Sequence, residues 1–562
     1  VSAVVVLMVG LLLFLCAPTV SADAPAVGGD VSVAQTLGER ELTVILRRVV
    51  SVPGPLQVEV VTHAGTAAGK LTVAAIPVGV SRVARTPAPG AVVSQADLEL
   101  RNVPGDNAAA LRVDRPGPWE LTVSDGTRTA RIPFLVPAQT VSPPERLVYG
   151  GFVVAGLLLP VALVVAVRAR PVWALLPVGG MIAGVAVAVT AAVLSASLPL
   201  PPQPGVQLDP GVDDVSDPYA LGHPLSADFS RPPVLLGLAA GTPVAGRSGT
   251  LRIDLSDSAT GAPVDDLVVH DDALVHLLIV GPGGELWHLH PIRTASARYE
   301  IDFTPTEPGH YALGVELARR GGGVQSVRVT TGFTAGPGSI PALSGVAPSA
   351  GRFPRPPGIP APGTVAPGAP AGTAAPGAVA GVSGAASGGG NEVPDIAPLL
   401  RLGSGGTATT EVAGTSVQVR ATNPVAGVPA TVTAHFGDTP DLQPWLGMLG
   451  HMIVVGPLGP DSDIAAAAQS APVWGHAHSM GSGAMPDMPG MGEAPGESGR
   501  MLMQPTNGDS MPDETVAAYG PDVPFTFTFP VPGHYRLWIQ AERHYTILTV
   551  PVEVDVAAVG AS

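Results

Sequence analysis

The stretch L-V-H-L-L-I-V-G-P-G-G-E-L-W-H-L-H-P, residues 274–291, decides how this chain is read, because it occurs twice. A second copy opens as G-H-M-I-V-V-G-P-L-G at 450–459 and resumes as V-W-G-H-A-H-S-M at 473–480. Each copy closes on a related segment, F-T-P-T-E-P-G-H-Y-A-L-G-V at 303–315 and F-P-V-P-G-H-Y-R-L-W-I at 529–539. Aligned on I-V-G-P and V-V-G-P, His276 falls on His451, His288 and His290 on His476 and His478, and His310 on His534. Eight of the 13 histidines therefore sit at repeat-equivalent positions. A periodic apolar core accounts for the returning valines and gives no reason for the histidines to return.

The apolar runs within each copy are short, rich in Val and Leu, and bounded by Gly and Pro, which is the pattern of β-strands separated by turns. In the first copy, strands are expected near 249–255, 273–280, 299–303, 311–317 and 325–331. Residues 31–137 carry the same alternation, and their P-G-P-W-E-L-T-V resembles the two P-G-H-Y segments, so a third and more degenerate copy of the fold is expected there. That copy has only His63 and lacks the H-x-H pair, so it is not a copy of the histidine site. The expected fold class is mainly β: tandem Ig-like or cupredoxin-like β-sandwich domains plus a two-helix transmembrane hairpin.

Composition agrees with several all-β domains. A chain of 562 residues is too long for one core, aromatics make up 4%, and the 70 Gly and 62 Pro suit many turns and low-complexity linkers. The formal charge of −16, with no basic stripe, excludes nucleic acid as a partner. The single cysteine, Cys16, lies in the N-terminal apolar run, so the remainder has neither disulfides nor thiolate ligands, and any metal site must use His, Met or carboxylate.

Residues 4–15 are an unbroken apolar run followed by A-P-T-V-S-A-D-A, which resembles a signal-peptidase site near Ala22 or Ala24, so residues 1–24 read as a signal peptide. Residues 147–167 and 172–196 are each apolar and long enough to cross a bilayer. Arg168 and Arg170 lie between them and read as a cytoplasmic turn, which puts both flanking regions on the outer side. The expected location is the cell membrane, with the β-domains extracytoplasmic. A linker is expected at 197–234, a sandwich at 235–335, a Pro/Ala/Gly-rich linker at 336–396 that cannot bury enough surface to offset its ordering entropy, and a last sandwich at 397–556 with an insertion at 481–513.

Residues two apart in a strand face the same way, so His288 and His290 project together, as do His476 and His478. A neighbouring strand carrying His276 or His451 can supply a third imidazole across a separation of about 5 Å, and three histidines are a common metal shell. A histidine at a strand end is often only solvated, and it is the duplication that favours ligation. His310 and His534, in turns, are weaker candidates, and His270 weaker still. The insertion adds a different signal: Met480, Met485, Met488 and Met491 lie in a polar segment, and nine of the 11 methionines fall between Met448 and Met511. Thioether prefers Cu(I) and imidazole suits Cu(II), so the combination points to copper, with zinc as the second candidate.

The pattern H-x-x-x-V…W-H-L-H-P…F…P-G-H-Y resembles the YtkA-like domains and, more loosely, the CopC-type proteins. The resemblance covers 251–333 well and 428–556 with the long insertion. It implies a β-sandwich that binds copper outside the cytoplasm through His276, His288 and His290, and through His451, His476 and His478 in the second copy, where Ser479 replaces Pro291. The chain then reads as a membrane-anchored extracytoplasmic metal-binding protein for copper sequestration, resistance or delivery, with a membrane copper transporter as a candidate partner. The reading from another class is a non-catalytic structural or interaction protein of the cell envelope built from Ig-like domains. No nucleophile paired with a base, and no carboxylate pair, suggests an enzyme.

Overall fold

The structure, a computed structural model, describes residues 30–47, 49, 51–78, 91–136, 143–168, 171–197, 232–319, 322–338, 397–459, 463–479 and 513–560. The signal segment, Arg170, most of both linkers, and Met480, Met485, Met488 and Met491 lie outside the described residues.

The chain builds three β-sandwiches and a pair of apolar helices. In the N-terminal sandwich, one sheet runs in the order Val31–Leu37, Arg40–Leu46, Gly54–Thr62, Gly105–Val113. The facing sheet runs Ser94–Leu100, Gly69–Pro77, Gly117–Ser124, Thr129–Val136. The second sandwich sets a four-stranded sheet built around Gly249–Asp257 and Arg298–Phe303 against a six-stranded sheet. The latter carries His276–Val280 between Leu286–Leu289 and Gly309–Arg319. The third sandwich repeats that arrangement, with Gly450–Gly456 between Val473–Ser479 and Gly533–Arg543.

Strand period then decides how the second and third sandwiches meet. In His276–Val280 every residue is buried: Leu277 and Ile279 turn into their own core, and Leu278 and Val280 turn outward with His276. The third sandwich does the same, with Met452 and Val454 inward and His451, Ile453 and Val455 outward. An antiparallel strand with one solvated face alternates apolar and polar residues, whereas these runs are apolar throughout because both faces are covered. The outward faces pack on each other in an apolar cluster with Leu286, Ala312 and Trp538. Each fully buried large side chain there contributes about 1.5–3 kcal/mol. Trp538 donates from Nε1 to the Gly284 carbonyl at 3.0 Å, and Trp474 lies over Gly314, where a Cβ would stand 2.7 Å from its ring. Only a glycine leaves room for that indole.

A short helix at Ile464–Ser470 caps this interface. The Asp463 side chain accepts from the Ala466 amide at 2.9 Å at its N-terminus. Gln469 of the helix and Arg328 of the second sandwich exchange hydrogen bonds with the Val329 and Ala471 carbonyls.

The N-terminal sandwich closes the assembly. The Ala34 and Thr36 amides donate to the carbonyls of Asp272 (2.6 Å) and His290 (2.8 Å), so its edge strand binds both ends of the His-bearing region. Arg293 reaches Glu120 at 3.0 Å, and Arg128 pairs with Asp302.

The helices α1 (Pro143–Arg168) and α2 (Leu175–Ser197) pack on each other where Gly151 and Gly184 let the backbones approach. Both are long and apolar enough to cross a membrane, and only 17% of each apolar window is buried within the protein.

Candidate metal centre

Each H-x-H pair is carried by an edge strand beside the strand bearing the third histidine, His476 and His478 within Val473–Ser479, His288 within Leu286–Leu289 and His290 one residue past its end. In the third sandwich His451 stands directly opposite His478, and Ile453 opposite His476; in the second, Leu278 stands opposite His288. The register makes two triads, His276/His288/His290 and His451/His476/His478, each with ligand-capable atoms within 4.8 Å of one another. Because both triads sit on the outward faces that pack together, the six imidazoles form one cluster. Ring centroids are 5.0 Å apart between His288 and His476, 5.5 Å between His276 and His476, and 5.6 Å between His288 and His451. Sequence reading placed one triad in each copy and left the number of sites open. The packing of one domain on the other brings them face to face.

The partners of each ring determine where its proton sits. His276 Nε2 lies 2.9 Å from the His270 carbonyl oxygen, and His451 Nε2 lies 3.1 Å from that of Trp445. A carbonyl only accepts, so each Nε2 carries the hydrogen and each Nδ1 presents a lone pair. The two carbonyls come from repeat-equivalent turns with left-handed residues, Asp271 (φ 47°) and Asp272 (φ 53°) in one copy, Leu446 (φ 53°) and Gly447 (φ 70°) in the other.

The H-x-H rings are held from across the interface. His288 Nδ1 donates to Gln540 Oε1 of the third sandwich at 3.2 Å, and His476 Nδ1 to Glu316 Oε1 of the second at 3.1 Å. Gln540 and Glu316 are themselves repeat-equivalent, so each domain orients the other's first histidine. The orientation of the Gln540 amide is set by its Nε2, which donates to Thr549 Oγ1 at 3.0 Å. The consequence is chemical. His276 Nδ1 and His288 Nε2 face each other at 3.0 Å, and His451 Nδ1 and His476 Nε2 at 3.1 Å, with the hydrogen of every ring already committed elsewhere.

His290 completes the first triad. Its Nδ1 donates to Glu41 Oε1 of the N-terminal sandwich, and its Nε2 is buried without a hydrogen-bond partner. All three rings of that triad thus turn a free lone pair inward while a carbonyl or carboxyl oxygen holds the other nitrogen, which is how metal-ligating histidines are oriented. In the second triad His478 Nε2 lies 3.3 Å from Asp271 Oδ2, off hydrogen-bond alignment. Asp271 also approaches His270 at 3.0 Å, and with Glu316 they make an acidic margin to the cluster.

Protonation does not relieve the facing lone pairs. Burial holds His276, His288 and His451 well below the ordinary imidazole range, with neighbouring histidines adding to the shift, and burial with His476 brings His478 down to about 4. Two imidazole nitrogens bound to one ion at about 2.0–2.1 Å stand roughly 2.9–3.3 Å apart for angles between square and tetrahedral. The observed separations fall in that interval.

Among the other sequence candidates, His534 bonds Asp555 at 2.8 Å at the far end of its strand and belongs to neither triad, nor does His310. Sequence reading missed Glu41, Glu316 and Gln540, which are ordinary polar residues without a local signal. For Glu316 and Gln540 the repeat alignment was the available clue.

No family model matches the chain, and no curated protein matches it. Solved structures that align along most of it do so at very low similarity. A latent PorU from Porphyromonas gingivalis is 8% identical over 94% of this chain and 32% of its own, at a TM-score of 0.14. A tetra-tandem repeat from the extending region of a large adhesion protein is 7% identical over 94% and 82%, also at 0.14. A membrane-anchored protein from Corynebacterium diphtheriae is 7% identical over 92% of each chain, at 0.13. The chain spans about a third of the PorU chain, and scores this low identify no relative.

Proposed function

We propose that the chain is a membrane-anchored metal-binding protein whose cargo is copper, held by imidazoles where the second and third sandwiches meet. The observation that carries this reading is the set of facing lone pairs: two buried imidazole pairs at 3.0 and 3.1 Å whose only hydrogens are taken up by carbonyl and carboxyl oxygens. A cation between them removes the repulsion. A proton would create a buried imidazolium, which the apolar surroundings disfavour.

An all-imidazole set suits Cu(II) and Zn(II), and the Irving–Williams order favours Cu(II) among divalent ions. The methionines that follow His478 in sequence add soft donors for Cu(I), which zinc does not require. With Arg168 and Arg170 between two apolar spans, the positive-inside rule puts all three sandwiches on the outer side of the membrane. Storage, resistance and delivery to a membrane copper transporter are all served by such a site, and the methionines of the insertion supply donors to which an ion can be passed.

The test is titration of the purified chain with Cu(II) and Cu(I) against competing chelators. His288→Ala with His476→Ala is expected to abolish tight Cu(II) binding. Changing Met485, Met488 and Met491 together to Leu is expected to leave Cu(II) binding intact and to weaken Cu(I) binding, at pH 5 as well as at neutrality, because thioethers do not titrate there. Copper binding unchanged in both variants would leave a structural protein of tandem sandwiches as the better reading.

A further inference from the structure

His63, which sequence reading set aside because its domain lacks the H-x-H pair, is 3% exposed and stands at a second junction, between the N-terminal and third sandwiches. It follows the strand Gly54–Thr62, and its Nδ1 lies 2.8 Å from Oε1 of Glu542, on the strand Gly533–Arg543. Its Nε2 lies 3.2 Å from Thr43 Oγ1 and 3.7 Å from Oε1 of Glu514. Glu514 is 5% exposed and Glu542 fully buried, and the three side chains present ligand-capable atoms within 4.8 Å of one another.

Two features separate this cluster from a structural ion pair. Glu514 Oε1 and Glu542 Oε2 are both buried without a hydrogen-bond partner, and among the described residues the ion pairs of both carboxylates are with His63 alone. Two buried carboxylates against one imidazole leave a charge uncompensated, and burying an unpaired charge is costly. A divalent cation with a neutral imidazole balances both carboxylates. In its place the protein holds protons: Glu542 and Glu514 outweigh the effect of burial and push His63 up to about 10, while burial pushes Glu514 up to about 8.

The site is not a third copy of the histidine centre. Glu542 lies two residues beyond Gln540 on the same strand face, roughly 7 Å along it, and its repeat equivalent in the second sandwich is Ala318. A small cavity lined by Asp30, Ser32, Arg47, Asp272, Asp513 and Glu514 adjoins it and gives an acidic approach.

We propose that His63, Glu514 and Glu542 form a second cation site, specific for a divalent ion that accepts one nitrogen and two carboxylate oxygens, Zn2+ or Mn2+, and that this ion fastens the N-terminal sandwich to the third. One imidazole with two carboxylates suits these ions and offers nothing to Cu(I). The junction holds His63 from one domain and both carboxylates from another, so binding and domain docking are one equilibrium.

The test is Zn2+ titration of the full chain in detergent against a chelator, comparing wild type, Glu514→Gln with Glu542→Gln, and His288→Ala with His476→Ala. The Gln variant, which keeps the side-chain shape, is expected to lose one bound equivalent while Cu(II) binding at the histidine cluster persists. The His variant is expected to keep that equivalent, so failure of this site and failure of the copper reading are told apart. Unchanged Zn2+ stoichiometry in the Gln variant overturns the proposal. Should that variant fail to fold, pulsed electron paramagnetic resonance of Mn2+ added to the wild-type chain decides: coupling to a single imidazole nitrogen supports the site, and no protein-bound Mn2+ together with no Zn2+ equivalent retained in the His variant overturns it.

Discussion

Acidifying the metal-free chain tests the histidine cluster most directly, since the buried rings resist a proton that an unfolded chain accepts. An unfolded imidazole titrates near 6.5. His276, His288 and His451 lie well below that value and His478 falls to about 4, so as pH falls below 6.5 the unfolded state takes up protons at these four rings that the folded state resists. Each such ring lowers stability by about 1.4 kcal/mol per pH unit as pH falls.

Raised carboxyls work in the opposite sense, Glu514 and Asp272 most strongly, with Glu285 and Asp106 also raised by burial. Burial raises Glu514 to about 8 and Asp272 to about 7, so in the same window the folded state holds two protons that the unfolded state has released. His63, raised to about 10, is protonated in both states there and adds nothing. Its stabilisation is fully present below 6.5 and is lost as pH rises toward 10. Four rings against the raised carboxyls leave a net uptake of at most about two protons on unfolding, and stability should fall by up to about 3 kcal/mol per pH unit on going below 6.5.

That loss is large beside the 5–15 kcal/mol of an ordinary domain. Denaturant unfolding of the chelator-stripped chain at half-unit steps from pH 6.5 to 5 measures it, and saturating Cu(II) should move the decline to lower pH by stabilising the neutral rings. A free energy of unfolding that stays level or rises across this interval would refute the argument, because it would mean that these rings are hydrated or already protonated.

Two further outcomes are expected. Trp538→Ala removes a fully buried indole from the interface and its hydrogen bond to Gly284, and should cost about 3–5 kcal/mol, read as a lower melting temperature together with weaker Cu(II) binding, since both triads depend on that docking. For sidedness, a Ser258→Cys, Cys16→Ser chain in intact cells should react with a membrane-impermeant thiol reagent; protection of that exposed turn until the membrane is permeabilised would reverse the topology drawn from Arg168 and Arg170.

Local pattern carried much of this molecule. The strands, the turns at Gly and Pro, the two long apolar helices and the grouping of His276, His288 and His290 follow from a side-chain period of two and from adjacency in a hairpin, both short-range properties. The unbroken apolar runs H-L-L-I-V and H-M-I-V-V took their meaning only from the structure, where both faces of those strands are buried.

Tertiary structure alone decided the rest. Which surface covers the outward face of a strand depends on how two whole domains dock, and no spacing within either repeat encodes it. The roles of Glu41, Gln540 and Glu316 therefore stayed hidden, since each acts on a histidine from 160 to 252 positions away. His63 shows the same limit from the other side. Alone in its domain it has no partner in sequence, and its chemistry arises only because folding delivers Glu542 from 479 positions away into the same dry junction.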